Sequence, residues 1–156
     1  IIVQLKKSET LNLTYSMQTQ FTDVSNFARG LVLNNYNALF TGNPALESAL
    51  SHNVNLFYYS FNMFNYTNVF ASINYNKSID NIRTESIFQL GSVIRVSSPF
   101  NSPFADESVT ANGRFQRTFG KIRGTIRANF NYSKFNQFIQ NRRSVNENFS
   151  QTYRAQ

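Results

Sequence analysis

Apolar and polar residues alternate along most of this chain. Over 122–133 the even positions Ile122, Gly124, Ile126, Ala128, Phe130 and Tyr132 are apolar or small. The odd positions Arg123, Thr125, Arg127, Asn129, Asn131 and Ser133 are polar or charged. A period of two sends successive side chains to opposite faces of a strand, whereas a helix needs apolar residues at i, i+3 and i+4. The alternation recurs at Leu11, Leu13, Tyr15 and Met17; at Val54, Leu56 and Tyr58; and at Val69, Ala71, Ile73 and Tyr75. It recurs again at Val109, Ala111, Gly113 and Phe115, and at Val145, Phe149, Tyr153 and Ala155. Phe57 and Phe70 break it. The pattern predicts six strands, near 10–20, 51–60, 67–79, 107–117, 122–133 and 145–155. Strands of this length exceed the usual five or six residues.

Short and long connections alternate between these strands. Two are short, 61–66 and 118–121, and three are long, 21–50, 80–106 and 134–144. The start of 80–106 is expected to continue its strand upward, from Glu85 to Leu90, and to turn at Gly91 and Ser92. The stretch around Pro99 and Pro103 reads as loop, because proline cannot donate to a ladder. Long alternating strands, short turns at one end and long loops at the other are the signature of outer-membrane barrels. The predicted fold is therefore all-β: an antiparallel transmembrane β-barrel segment with short periplasmic turns and long extracellular loops. A soluble β-sandwich or an extracellular adhesin also alternates, and ranks below the barrel because of strand length and loop asymmetry.

Composition sharpens this picture. Charged residues are 15% of the 156, and aromatics are also 15%, all Phe and Tyr. There are 22 Asn, so polarity comes from amides and hydroxyls more than from charges. On the 107–117 strand, charges of apolar parity occur only at the ends, Glu107 and Arg117. A charge at the bilayer midplane on a lipid face costs about 2–4 kcal/mol, which accounts for that placement. Arg114, Arg123, Arg127 and Arg154 have the polar parity and are expected to face a watery lumen. The net charge is +7, with nine of the fifteen basic residues between Arg114 and Arg154. Such a balance raises nucleic acid as a partner, but most aromatics have the opposite parity to the arginines, so no nucleic acid is expected. With no Cys, thiolate metal sites and disulfides are excluded.

A family resemblance enters at residues 42–59. Gly42-Asn43-Pro44-Ala45-Leu46-Glu47, then Ser51-His52-Asn53-Val54-Asn55-Leu56 and Tyr58-Tyr59, resemble the signature of TonB-dependent outer-membrane receptor barrels. Phe70-Ala71-Ser72-Ile73-Asn74-Tyr75 resembles the next strand in Bacteroidetes-type, SusC-like members. Ala45 and Ala49 depart from the commoner choices in that signature. The resemblance implies a 22-stranded barrel, with a plug and TonB box outside residues 1–156. Six strands cannot close such a barrel, so the chain is expected to be one internal segment of it. Implied partners are outer-membrane lipid, TonB through regions outside this segment, and a surface lipoprotein (SusD-like) or other outer-membrane subunits. The implied location is the bacterial outer membrane.

Few residues suggest chemistry. Gly42, Asn43 and Pro44 read as a turn, Pro fixing φ and Gly-Asn tolerating left-handed geometry. His52 is the sole histidine and lacks metal or catalytic partners, so it is read as structural. Asp106 and Glu107 are adjacent and would face opposite sides, which makes them a poor acid–base pair and a solvated strand end. The sequons at Asn12, Asn65, Asn76, Asn131 and Asn148 follow from composition. The sequence thus predicts no enzyme, no cofactor and no metal. The resemblance implies part of the barrel of a TonB-dependent receptor for uptake of a bulky nutrient. The alternatives are a non-catalytic scaffold or accessory subunit of an outer-membrane complex and, third, an outer-membrane hydrolase.

Overall fold

The alternating segments become strands. The computed structural model describes residues 1–88, 94–139 and 142–156. In chain order the strands are β1 (Ile2–Lys6), β2 (Glu9–Gln20), β3 (Leu31–Asn35), β4 (Ala38–Thr41), β5 (Ala49–Asn62) and β6 (Thr67–Ile79). Then come β7 (Ile82–Phe88), β8 (Arg95–Asn101), β9 (Asp106–Phe119), β10 (Ile122–Ile139) and β11 (Arg142–Ala155). The six predicted strands correspond to β2, β5, β6, β9, β10 and β11. Together with β1 they form one antiparallel sheet in the order β1-β2-β5-β6-β9-β10-β11. This sheet is open in the described residues, with β1 and β11 at its edges.

Short turns close one end. Gly120 and Lys121 join Phe119 to Ile122, with Gly120 at φ +59. A positive φ at the first turn residue matches the twist of a two-residue hairpin, and glycine adopts it without strain. The 63–66 turn is held by Asn62, whose Oδ1 accepts the Phe64 N–H at 2.9 Å.

The opposite end departs from the sequence reading. The 21–50 and 80–106 connections are not plain loops. They contribute a second, four-stranded sheet in the order β3-β4-β8-β7. The strand expected to run upward from β6 instead breaks at Asp80, at φ +55, and β7 joins the other sheet. The turn expected at Gly91 and Ser92 lies outside the described residues. Pro99, read as loop, sits in β8 opposite Thr84. It is tolerated because the ladder from β8 to β4 ends at Ser97, leaving β8 an edge beyond that point. The 134–144 connection is also mostly ladder, since β10 and β11 stay paired out to Ile139 and Arg142.

The large sheet has almost no core. Among the described residues the buried hydrophobic side chains are only Ala38, Leu46 and Ala49. Its apolar face is uncovered, with Leu13, Ile73, Phe115 and Ile126 all exposed, Ile126 to 57%. The small sheet meets the large one at its end, where the Phe100 ring packs edge-on against Phe138 of β10 at 5.0 Å between centroids. The sandwich alternative needs a second sheet over the apolar face, and the described residues supply none.

Candidate functional site

Cross-strand partners share a face of a sheet, as do alternate residues within a strand. The ladders therefore sort every long-strand residue. One continuous row on the polar face runs Thr10, Tyr59, Phe70, Arg114, Arg127 and Arg154. The next runs Asn12, Phe57, Ser72, Asn112, Asn129 and Thr152. Three of the four predicted arginines are thus direct neighbours, about 5 Å apart from strand to strand. Arg123, opposite Thr118 at the short-turn end, shares their face.

This arginine row is electrostatically unbalanced. The Arg114 guanidinium donates to Gln116 Oε1, while Arg123, Arg127 and Arg154 have no partner among the described residues. Asp106 is the one carboxylate of that parity on the seven strands. It is engaged at the other end by Arg83 and by the backbone N–H and side-chain amide of Asn136. Like charges directly opposite one another destabilise a sheet.

Of the two residues that broke the alternation, Phe70 lies in this row and Phe57 in the next. Phe57 and Phe70 meet edge to face on the polar side, 5.3 Å between centroids. With Tyr59 they form an aromatic patch next to Arg114. Most strand aromatics do lie on the face opposite the arginines, and this patch departs from that rule. A shallow concavity of about 490 Å³ is lined by Tyr59, Phe70, Arg114 and Arg127 together with amides such as Asn112 and Asn129. Sequence parity located the arginines. The concavity itself required the register between strands, although the exceptions at Phe57 and Phe70 were its visible trace.

On the other face the rows have a different order. One runs Leu13, Leu56, Ile73, Ala111, Phe130 and Gln151. The next runs Tyr15, Val54, Tyr75, Val109, Tyr132 and Phe149, and beyond it lie Met17, His52, Lys77, Glu107, Lys134 and Glu147. The last row alternates in charge. Lys77 pairs with Glu107 at 3.4 Å and Lys134 with Glu147 at 3.1 Å. His52 belongs to this row, with its Nδ1 2.7 Å from the Tyr15 hydroxyl. Toward the short turns the next charge on this face of β9 is Arg117, whose guanidinium lies over the Phe119 ring at 4.6 Å.

The Gly42-Asn43-Pro44 turn is a tie between the two long connections. The turn expected from the sequence is present, and Gly42 does not use the left-handed freedom that glycine allows there. A Cβ there would lie 2.5 Å from the Ala28 carbonyl oxygen and 2.7 Å from that of Asn26. The Asn43 N–H donates to the Asn26 carbonyl at 2.7 Å, and its side-chain amide donates to the Pro99 carbonyl at 3.2 Å. Asn43 Oδ1 accepts the Ala45 N–H at 2.9 Å, closing the turn that Pro44 occupies.

Asp106 was read as a solvated strand end. It is instead largely enclosed, its side chain 15% exposed, and it also accepts from the Asn81 amide at 2.8 Å. Glu107 faces the opposite side, as adjacent strand residues must. Among the described residues no His, Cys, Asp and Glu side chains cluster as a metal site. No helix among them is long and apolar enough to cross a membrane, a test that does not address strands. No known family model, curated protein or solved structure matches the chain.

Proposed function

We propose that the large sheet is part of the wall of a transmembrane β-barrel in a bacterial outer membrane. The supporting observation is the uncharged band on its apolar face, bounded by an ion row. Glu107 and Arg117 are ten residues apart on β9, about 33 Å along a strand. At the 35–45° tilt of outer-membrane strands this projects to about 25 Å, the height of the apolar band such barrels present to lipid. Tyr15, Tyr75 and Tyr132 occupy the row just inside the charges, where an aromatic girdle belongs. The amide- and hydroxyl-rich opposite face suits a watery lumen. Open edges are untenable in hydrocarbon, so in this reading β1 and β11 pair with further strands.

On the resemblance at residues 42–59, the parent activity is TonB-dependent uptake of a bulky nutrient. The small sheet then lies at the extracellular end. Single cysteines test the wall. In lipid vesicles, Ala111→Cys and Ala128→Cys are expected to react with a lipid-phase label, and Asn112→Cys and Asn129→Cys with an aqueous one. Equal aqueous labelling of all four would overturn the reading.

A further inference from the structure

We propose that the concavity beside Phe70 is a binding site for a small anion carrying a flat apolar ring, of the aromatic carboxylate or aromatic phosphate class. The proposal rests on the polar face being open to water, as the barrel reading has it, and adds a ligand class to that face. Three observations carry it.

First, the site holds uncompensated positive charge. Arg114, Arg127 and Arg154 stand in one row with no carboxylate beside them. A planar guanidinium offers forked donors that match carboxylate and phosphate oxygens. An anion between Arg114 and Arg127 would relieve their mutual repulsion, so binding and sheet stability are coupled.

Second, the site holds apolar surface where the face is otherwise polar. Tyr59 and Phe70, which line it, and the adjoining Phe57 replace the amides and hydroxyls found at neighbouring positions of the same parity, such as Asn55, Asn68 and Ser72. Phe57 and Phe70 are half-buried against one another while Tyr59 is exposed, and departures from a local rule concentrate where function requires them. A ligand ring stacked on Phe70 would extend the Phe57–Phe70 pair by a third ring.

Third, the two features are at the right spacing. Phe70 is the direct ladder neighbour of Arg114, which neighbours Arg127. Adjacent strands are about 4.8 Å apart, so one small ligand can reach the side chains of both Phe70 and Arg114. Asn112 and Asn129, one row away, can hydrogen-bond the remaining oxygens.

The whole barrel that carries this sheet, inserted in lipid vesicles or non-ionic detergent, is titrated calorimetrically with phenyl phosphate, inorganic phosphate and benzyl alcohol. Phenyl phosphate should bind more tightly than inorganic phosphate, and benzyl alcohol should bind weakest. Arg127→Gln should weaken both anions by about tenfold, the usual weight of one charge-assisted bond. Phe70→Ser should weaken phenyl phosphate by roughly threefold to tenfold and leave inorganic phosphate unchanged. Phe70→Ser restores the parity of its neighbours, and strand content by circular dichroism verifies folding of each variant. Equal affinity for phenyl phosphate and inorganic phosphate, or indifference to both substitutions in folded protein, would overturn the proposal. Because the cysteine labelling reports the wall independently, failure of the site and failure of the barrel reading are separable.

Discussion

Glu107 lies directly opposite Lys77 across the β6–β9 ladder, their charged atoms 3.4 Å apart. The pair is more than a third exposed on the lysine side, so its own contribution to stability is small. Its position carries the information, because it marks where the uncharged band stops.

That boundary predicts an asymmetry. Ala111→Lys, in the middle of the band, is expected to destabilise the lipid-inserted protein by about 2–4 kcal/mol. Thr110→Lys, one residue away on the other face, is expected to change stability by less than about 1 kcal/mol. Reversible urea unfolding in vesicles measures both, and comparable losses at the two positions would refute the assignment of faces.

Gly42 is predicted to tolerate no side chain. Gly42→Ala places a methyl carbon against the backbone of Asn26 and Ala28, and forced overpacking costs about 1–3 kcal/mol. The strain falls on the connection between β2 and β5, which is expected to become protease-sensitive while the long ladders persist. Limited proteolysis followed by mass spectrometry reads this. Unchanged protection of residues 21–48 would contradict the close approach.

Asp106 is predicted to be the most sensitive carboxylate. Asp106→Ala removes the partner of Arg83 and the acceptor for Asn81 and Asn136. Breaking an enclosed ion pair costs about 3–5 kcal/mol at the buried limit, and with Arg83 34% exposed a loss of about 2 kcal/mol is expected. Asp106→Asn keeps an acceptor and should cost less. Hydrogen exchange at β7 and at the upper part of β10 should rise more for the alanine than for the asparagine variant.

A pH effect is expected at the start of the 3-10 turn Val24–Phe27. The Ser25 N–H donates to Asp23 at 2.9 Å and holds its carboxyl below the ordinary value. A depressed carboxylate stabilises its fold above the unfolded pKa, about 3.9, and that stabilisation is lost as pH falls through the folded pKa. Amide exchange or NMR shifts at Ser25 should therefore titrate in acid, below the ordinary aspartate range. Asp23→Asn should abolish the titration, and a midpoint above the ordinary value would contradict the hydrogen bond.

β1, at five residues, was too short to show a period, whereas the other six strands of the large sheet were legible because they are long and largely keep one parity. The small sheet was not. Leu31-Val32-Leu33 and Ala38-Leu39-Phe40 are too short to show a period, and β4 pairs with a strand more than fifty residues away. Pro99 argued against a strand, and only the end of the neighbouring ladder makes it acceptable. At the site, parity alone identified Arg114, Arg127 and Arg154 as sharing a face. Their neighbours were invisible, since which strand lies beside which, and in what register, is a property of the whole sheet. Phe57 and Phe70 looked like noise in two separate strands until the β5–β6 ladder set them against one another.

The parallel pairing of β4 with β8 sets an order of events. Every other ladder joins antiparallel strands, most of them consecutive, whereas this one must wait for residues 95–97 to find residues 38–40. The whole β5–β6 hairpin lies between them in the chain, so the pairing closes a long loop over strands that can already be made. Long-range closures of this kind are slow to form. The small sheet is thus expected to act as a clasp that fastens after the hairpin, and loosening it is expected to release the far end of the sheet while the ladders below persist.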